Sequence, residues 1–407
     1  TNAAPSSNVA VSAGNIAGVT STINFSSGQH TTGNIYAGNV AGSTGIINID
    51  GPGTIVSTDQ ASFQAGRFGS FAGNGTLNIT NGGQVECLGV EAARAAGSNV
   101  TYNISGTNSI LKNQQILLGR ADVLGIGTAD MFVSNNATVQ TNFGVGGGNI
   151  FVAGANNYKS TFSITTGGRL NSDGAVIIVS SPNTGAPNTS GTFLVSGSGS
   201  QVNAGPSWLI ITSAVAGQSG GNGYVRFDDQ ASVNLGSIRV ADTTGNATLI
   251  MKDPGTVVNV LDNGVDANGF FDSGSDANAV ATITLSNSAL LNVNSLFSIG
   301  SIQGGTAHLT VDAATLNSSG DGAFIAIGGA YTNAAGHGNA TFTNGATIVT
   351  PELDMAVSPN AVATMTINGS TTTVTAGVSF LSADTATSAT INVTGGATYD
   401  AGAGGFI

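Results

Sequence analysis

The sequence predicts an all-β chain, a single-domain right-handed parallel β-helix (β-solenoid) of about 14 triangular rungs, each made of three short strands. Three observations predict it. A short phrase of alternating apolar and polar residues recurs along the whole chain. A second apolar phrase, closed by a small residue, follows it in most copies. Charged residues make up only 7% of the chain, against roughly 25% in typical globular domains.

The first phrase is clearest at Gly75-Thr76-Leu77-Asn78-Ile79-Thr80-Asn81-Gly82-Gly83-Gln84-Val85. Apolar and polar residues alternate, a Gly/Asn turn follows, and the alternation resumes, so each copy reads as two short strands around a tight corner. The second apolar residue of each copy marks the series Phe25, Ile49, Ile79, Ile104, Val133, Ile164, Val195, Phe227, Met251, Leu285, Val311, Phe342, Ile367 and Val393. These marks lie about 28 residues apart on average, a period typical of solenoids and propellers. The shortest interval is 24 residues (Phe25 to Ile49) and the longest 34 (Met251 to Leu285). Strands repeat, and corners vary in length.

The second phrase supplies the third strand. Examples are Ile35-Tyr36-Ala37-Gly38, Phe63-Gln64-Ala65-Gly66, Ile116-Leu117-Leu118-Gly119, Val176-Ile177-Ile178-Val179, Phe297-Ser298-Ile299-Gly300 and Phe324-Ile325-Ala326-Ile327-Gly328. Three strands per copy make one coil. Stacked coils about 4.8 Å thick would give a rod on the order of 65 Å long. The right hand follows from the general preference of parallel crossovers.

Outward positions explain the low charge. In a solenoid the same outward position recurs one rung away, so a charge faces its own kind, whereas Asn, Ser and Thr can hydrogen-bond along the column. Asn24, Asn48, Asn78 and Asn103 share one such position in four successive copies. Phe132, Leu194 and Ile250 interrupt the same column with apolar side chains, a candidate stripe for lateral packing. They could equally lie beneath the chain's own long corners, such as Ser180 to Ser190.

Residues 1–14 read as a first partial rung or N-terminal strand, because Asn8-Val9-Ala10-Val11-Ser12 already alternates. The last residues, Ala401 to Ile407, read as part of a rung with no cap. Val9 and Val11 at one end, and Phe406 and Ile407 at the other, are therefore candidate contacts for head-to-tail stacking into a homopolymer. A cut from a longer chain reads equally well. Residues 262–278 form a corner insertion rich in Asp, Asn and Gly, in which Asp262, Asp266, Asn268, Asp272 and Asp276 are spaced to wrap a hard cation such as calcium. The register departs from an EF-hand loop, and a solvated turn accounts for the same residues. No other cofactor is expected.

A net charge of −12 argues against nucleic acid, because phosphate binding needs clustered Lys and Arg. No apolar run reaches the ~20 residues of a membrane span. The single cysteine, Cys87, excludes an internal disulfide framework and reads as an inward small hydrophobe. Catalysis is not expected. The nearest candidates are Arg226, Asp228 and Asp229 with Arg239 a strand later, and the pair His308 and Asp312; Arg226, Asp228 and Asp229 also read as a salt-linked turn, and three histidines leave little acid/base machinery. A flat Thr array for ice or crystal binding is interrupted at Tyr224/Arg226/Asp228 and His308/Thr310/Asp312. Tyr36, Tyr158 and Tyr331 read as exposed rings able to stack on sugars, while Trp208, in Trp208-Leu209-Ile210-Ile211, reads as core.

The run Ala72-Gly73-Asn74-Gly75-Thr76-Leu77-Asn78-Ile79-Thr80-Asn81-Gly82-Gly83 resembles the β-helical repeat of autotransporter passengers and PEP-CTERM-associated surface proteins of Gram-negative bacteria. The likeness runs from about Asn15 to Ile407, without a C-terminal membrane barrel or a sorting helix with a basic tail. It implies a mature form, after signal removal, outside the cell or on its surface. Such repeats build stalks, adhesins and coats alike. The expected function is an extracellular structural subunit stacking into a surface fibre. The alternative is a monomeric passenger stalk or adhesin contacting cell surfaces or glycans; a polysaccharide-degrading β-helix is a more distant reading.

Overall fold

The structure, a computed structural model, describes residues 9–405 apart from 59–66, 70–71, 94, 96, 120–126, 143–147, 155–156, 182–188, 214–220, 243–244, 262–268, 276–277, 301–304, 330–335 and 383–386. Among the described residues every element is a strand. The chain falls into two units, Thr1–Asn203 and Ala204–Ile407. Each is a parallel β-solenoid.

In the first unit, one face carries the first phrase of each copy as the strands Thr20–Phe25, Thr44–Asp50, Asn74–Thr80, Asn99–Ser105, Gly127–Ser134, Tyr158–Thr165 and Ser190–Ser196. Neighbours pair in parallel, and the marks align from rung to rung, as in Phe25 on Ile49 and Ile49 on Ile79. A tight arc leads to the second face. At Asn81-Gly82 both residues take positive φ, and the Gly83 amide donates to the Thr80 carbonyl at 2.9 Å, which is why Asn-Gly is written there. Buried hydroxyls staple these arcs. Ser109 donates to the Ser105 carbonyl and accepts from the Gly82 amide one rung away.

The second face of this unit runs from Gln29–Thr32 through Ile55–Thr58, Gln84–Glu86, Ile110–Asn113 and Thr138–Asn142 to Arg169–Asp173. The third takes the second phrase: Val11–Ala13, Ile35–Ala37, Arg67–Gly69, Gly89–Ala92, Gln115–Leu118, Ile150–Ala153 and Ile177–Ser180. Inward residues of all three faces fill the core. Ile49, Ile79, Val85, Ile104, Leu111, Ile116 and Phe193 are among the side chains removed from water, each such burial worth roughly 1.5–3 kcal/mol.

The second unit repeats this plan. Its first face runs Asn222–Asp228, Gly245–Lys252, Ala279–Ser286, Thr306–Asp312, His337–Thr343, Val362–Asn368 and Ser388–Thr394. All fourteen marks thus lie on first-face strands, seven in each unit. Faces two and three are less separate than expected. Ser232–Val240, Thr347–Met355 and Thr373–Leu381 each run round the corner as one strand. Thr373–Leu381, for example, pairs Val374 with Ile348 on one side of the bend and Ser379 with Leu353 on the other. Gly236 and Gly377 sit at two of these bends and Pro351 at the third, small or kinked residues where a strand can turn without a loop.

The outward asparagines form the expected ladder. Asn48 donates to Asn24 at 2.7 Å, Asn78 to Asn48 at 2.7 Å and Asn103 to Asn78 at 2.8 Å. A second ladder on the second face of the other unit joins Asn259 to Asn234, Asn292 to Asn259 and Asn317 to Asn292. Opposite charges can also share a column, and Lys112 meets Glu86 at 2.8 Å. An amide is self-complementary along such a column; a carboxylate needs a cation above or below it.

Candidate functional site

Two first-face strands, Thr20–Phe25 and Ser388–Thr394, expose what the other first-face strands bury. The marks from Ile49 to Ile367 are at most 1% exposed, but Val393 on Ser388–Thr394 is 45% exposed. Ala389 and Ile391 on that strand are half-buried, as are Ile23 and Phe25 on Thr20–Phe25. On the second face the inward position at one edge is His30, ring to ring with Phe25 at 5.0 Å. At the other edge it is Tyr399, whose hydroxyl bonds Ser379 at 2.6 Å. Val9 is 65% exposed, and Val11 is half-buried in register with Ile35. Phe406 and Ile407 lie outside the described residues.

Of the three lateral candidates, Phe132 and Leu194 share a column of the first unit, and Ile250 lies on the first face of the second. Phe132, 40% exposed, is followed by Ser163 and then by a half-buried Leu194. Ile250 sits between Arg226 and Thr284. Polar residues therefore break the stripe.

The candidate catalytic residues are held in separate structural contacts. Arg226 closes on Asp228 through both Nε and Nη2 at 2.5 Å, and Lys252 approaches the same carboxylate at 3.7 Å. Asp228 is buried, and its Oδ1 has no hydrogen-bond partner among the described residues. Arg239 belongs to a different cluster. Its guanidinium lies 4.6 Å from the Trp208 ring and 5.2 Å from Phe270, and it pairs with Asp242 at 2.9 Å. Trp208 is therefore not a core residue: it is half-buried on the outside, edge to face with Phe270 at 5.2 Å. Tyr158 errs the other way. It is fully buried, its hydroxyl donating to the Ala95 carbonyl at 3.1 Å. Tyr36 is half-buried, and Tyr331 lies outside the described residues. His308 bonds Asn339, and Asp312 accepts from Thr343 and Asn344.

Of the calcium candidates, Asp262, Asp266, Asn268 and Asp276 lie outside the described residues. Asp272 is buried on the strand Phe271–Ser273, in register with Arg239, and accepts from the Ser275 hydroxyl at 2.9 Å. Among the described residues no group of three or more His, Cys, Asp or Glu side chains is placed to hold a metal ion, and no helix is long and apolar enough to cross a membrane. Cys87 is buried and its thiol is pushed far up by desolvation, which makes it unreactive.

The sequence reading missed two buried carboxyl groups. Glu91 is buried beside Arg67, Nη1 to Oε2 at 3.2 Å. Asp354 sits between Ala326 and Phe380 of neighbouring rungs, with Glu352 two residues before it on the same strand. Burial first, then the charge of Glu352 and its hydrogen bond, raise the Asp354 carboxyl from the usual 3.8 to about 7. Local alternation showed neither group, because what covers each comes from another rung. A raised carboxyl binds its proton more tightly folded than unfolded, so its stabilising contribution is complete below about pH 4 and lost as pH rises toward 7. Asp354→Asn is expected to remove this component. Relative to the parent, the variant should gain roughly 2 kcal/mol in urea melts at pH 7.5, after allowing for solvent screening, and little at pH 4. An equal difference at both pH values would reject it.

No family model, curated protein or solved structure matches the chain.

Proposed function

We propose that this chain is an extracellular structural β-solenoid subunit whose copies associate end to end into a surface fibre. One observation carries the structural part of this reading: neutral asparagine columns run along the outside of the rungs, Asn24 to Asn103 in the first unit and Asn234 to Asn317 in the second. A sheet edge with unpaired backbone groups and apolar side chains favours addition of a further strand. The ladders support a load-bearing role, since neutral amide columns stack without charge repulsion. The resemblance to bacterial surface repeats supports a location outside a Gram-negative cell, and no catalytic role is proposed for it.

Negative-stain electron microscopy tests this. Purified protein should form unbranched fibres that lengthen with concentration. Dispersed short particles at millimolar concentration would reject the fibre. The second reading is a stalk or adhesin that contacts glycans, and Trp208 favours it, because a half-exposed indole beside Arg239, Asp242 and Phe270 offers both a ring and hydrogen-bonding groups to a sugar.

A further inference from the structure

We propose that rung stacking shuts off spontaneous deamidation at two Asn-Gly turns, Asn81-Gly82 in the first unit and Asn344-Gly345 in the second. Each is then a latent modification site that opens only where the rungs on either side of it come loose.

Asn is among the heat-labile side chains, and Asn-Gly is its most reactive setting, because Gly has no side chain to shield its own nitrogen. Once that nitrogen gives up its proton it can attack Cγ of the preceding Asn. An N–Cγ bond forms, the Cγ–Nδ2 bond breaks, and ammonia leaves behind a five-membered imide. Water then opens the imide at either carbonyl, giving Asp or the β-linked isoAsp. Asn81 and Asn344 are both exposed, so exclusion of water from the side chain does not hold this reaction back.

The two turns are built alike from separate parts of the chain. In each, Asn and Gly both take positive φ, 50° and 88° at Asn81-Gly82 and 56° and 88° at Asn344-Gly345. The Ala346 amide donates to the Thr343 carbonyl at 3.0 Å, closing its turn as the Gly83 amide closes the other on Thr80. The Gly82 amide donates to Ser109 Oγ at 3.0 Å, and the Gly345 amide to Thr372 Oγ1 at 3.1 Å, each hydroxyl coming from the following rung. Both hydroxyls are buried, and each donates in turn to a carbonyl, that of Ser105 at 2.7 Å and that of Asn368 at 2.8 Å. The Asn side chains reach to the preceding rung instead. Asn81 Nδ2 donates to Asp50 Oδ1 at 2.8 Å and Asn344 Nδ2 to Asp312 Oδ1, where Thr80 and Thr343 donate as well.

This arrangement opposes the first step twice. The proton that must leave rests on a buried hydroxyl oxygen, a poor base whose own proton is engaged. The nitrogen and the carbon it must reach are also tied in opposite directions along the stack, so both bonds have to break before they can meet. Reaction at either turn would harm the stack that prevents it. A carboxylate at position 81 or 344 would face Asp50 or Asp312, like charge on like, and isoAsp would add a methylene to the backbone of a tight corner.

Peptide mapping by mass spectrometry after incubation at pH 9 and 37 °C tests this in the full chain, with Asp and isoAsp read at each step. Both turns should deamidate roughly tenfold or more slowly than in the same chain held unfolded in urea. Ser109→Ala should speed Asn81 by roughly fivefold or more and leave Asn344 within about twofold, and Thr372→Ala should do the reverse. Ser109→Thr, which copies the hydroxyl of the second unit, should keep the parent rate at Asn81. Parent rates equal to those of the unfolded chain would overturn the proposal, as would folded Ala variants no faster than the parent. Amide hydrogen exchange on the parent is a second measurement that needs no variant to fold. Gly82 and Gly345 should exchange far more slowly than in the unfolded chain, and exchange at the unfolded rate would overturn the role given to the two hydroxyls.

Discussion

Gly191→Ala is expected to be among the most damaging single substitutions in this chain, costing about 4 kcal/mol or more in urea-induced unfolding. Gly191 is the second residue of the first-face strand Ser190–Ser196 and lies against Val179 of the third-face strand Ile177–Ser180. A Cβ built there would lie 1.6 Å from the Val179 carbonyl oxygen. Backbone cannot yield as a flexible side-chain tip can, so two strands would have to separate and part of their pairing would be lost. The φ angle of Gly191 is not the cause; the close approach is. The equivalent inward positions of the second unit include Ala247, Ala281 and Ala307, all buried, so the column as such accepts a methyl group. A loss below about 1 kcal/mol would show that the corner can open and that the argument from close approach is wrong.

Arg67→Leu is expected to cost about 3–5 kcal/mol, and most of that should return in the double variant Arg67→Leu, Glu91→Leu. Both members of this ion pair are largely withdrawn from water, with side-chain exposures of 14% and 2%. Taking away the guanidinium leaves a carboxylate whose hydration has been replaced by protein. Taking away both charges leaves two apolar side chains withdrawn from water, where burial is favourable. The Tyr102 hydroxyl, which donates to the Phe68 and Glu91 carbonyls, would keep the local backbone bonded in either variant. A double-mutant cycle from urea midpoints measures the coupling. If the double variant is as unstable as the single one, packing of the long Arg67 side chain and not the lost ion pair sets the loss.

Much of this architecture is legible without coordinates. Alternation over five or six residues states which side chains face inward, and a recurring interval states which of them stack. That is enough to place Phe25 on Ile49 and to foresee that Asn24, Asn48, Asn78 and Asn103 form one ladder. It is also enough to see that Cys87 is buried. The same logic fails where alternation breaks. In Trp208-Leu209-Ile210-Ile211 four apolar residues follow one another, and nothing local shows that Trp208 turns outward to meet Arg239, 31 positions away. Tyr158 looks like a surface ring beside Lys159, yet the preceding rungs fold over it and give its hydroxyl the Ala95 carbonyl. The sequence reading did not single out Asp354, which lies between Ala326 and Phe380 of the neighbouring rungs as a buried acid.

By itself, then, the sequence determined the kind of object: a parallel β-solenoid, its approximate number of turns, the inward marks and the neutral ladders. These follow from periodicities of two residues and of about 28, which are properties of the chain alone. Tertiary structure decided the corners and the exceptions: which strands bend without a loop, which glycine has a carbonyl where a Cβ would go, which carboxyls are shut away from water. Those depend on what lies one rung above or below. Because corner lengths vary from copy to copy, no fixed spacing in the sequence encodes them.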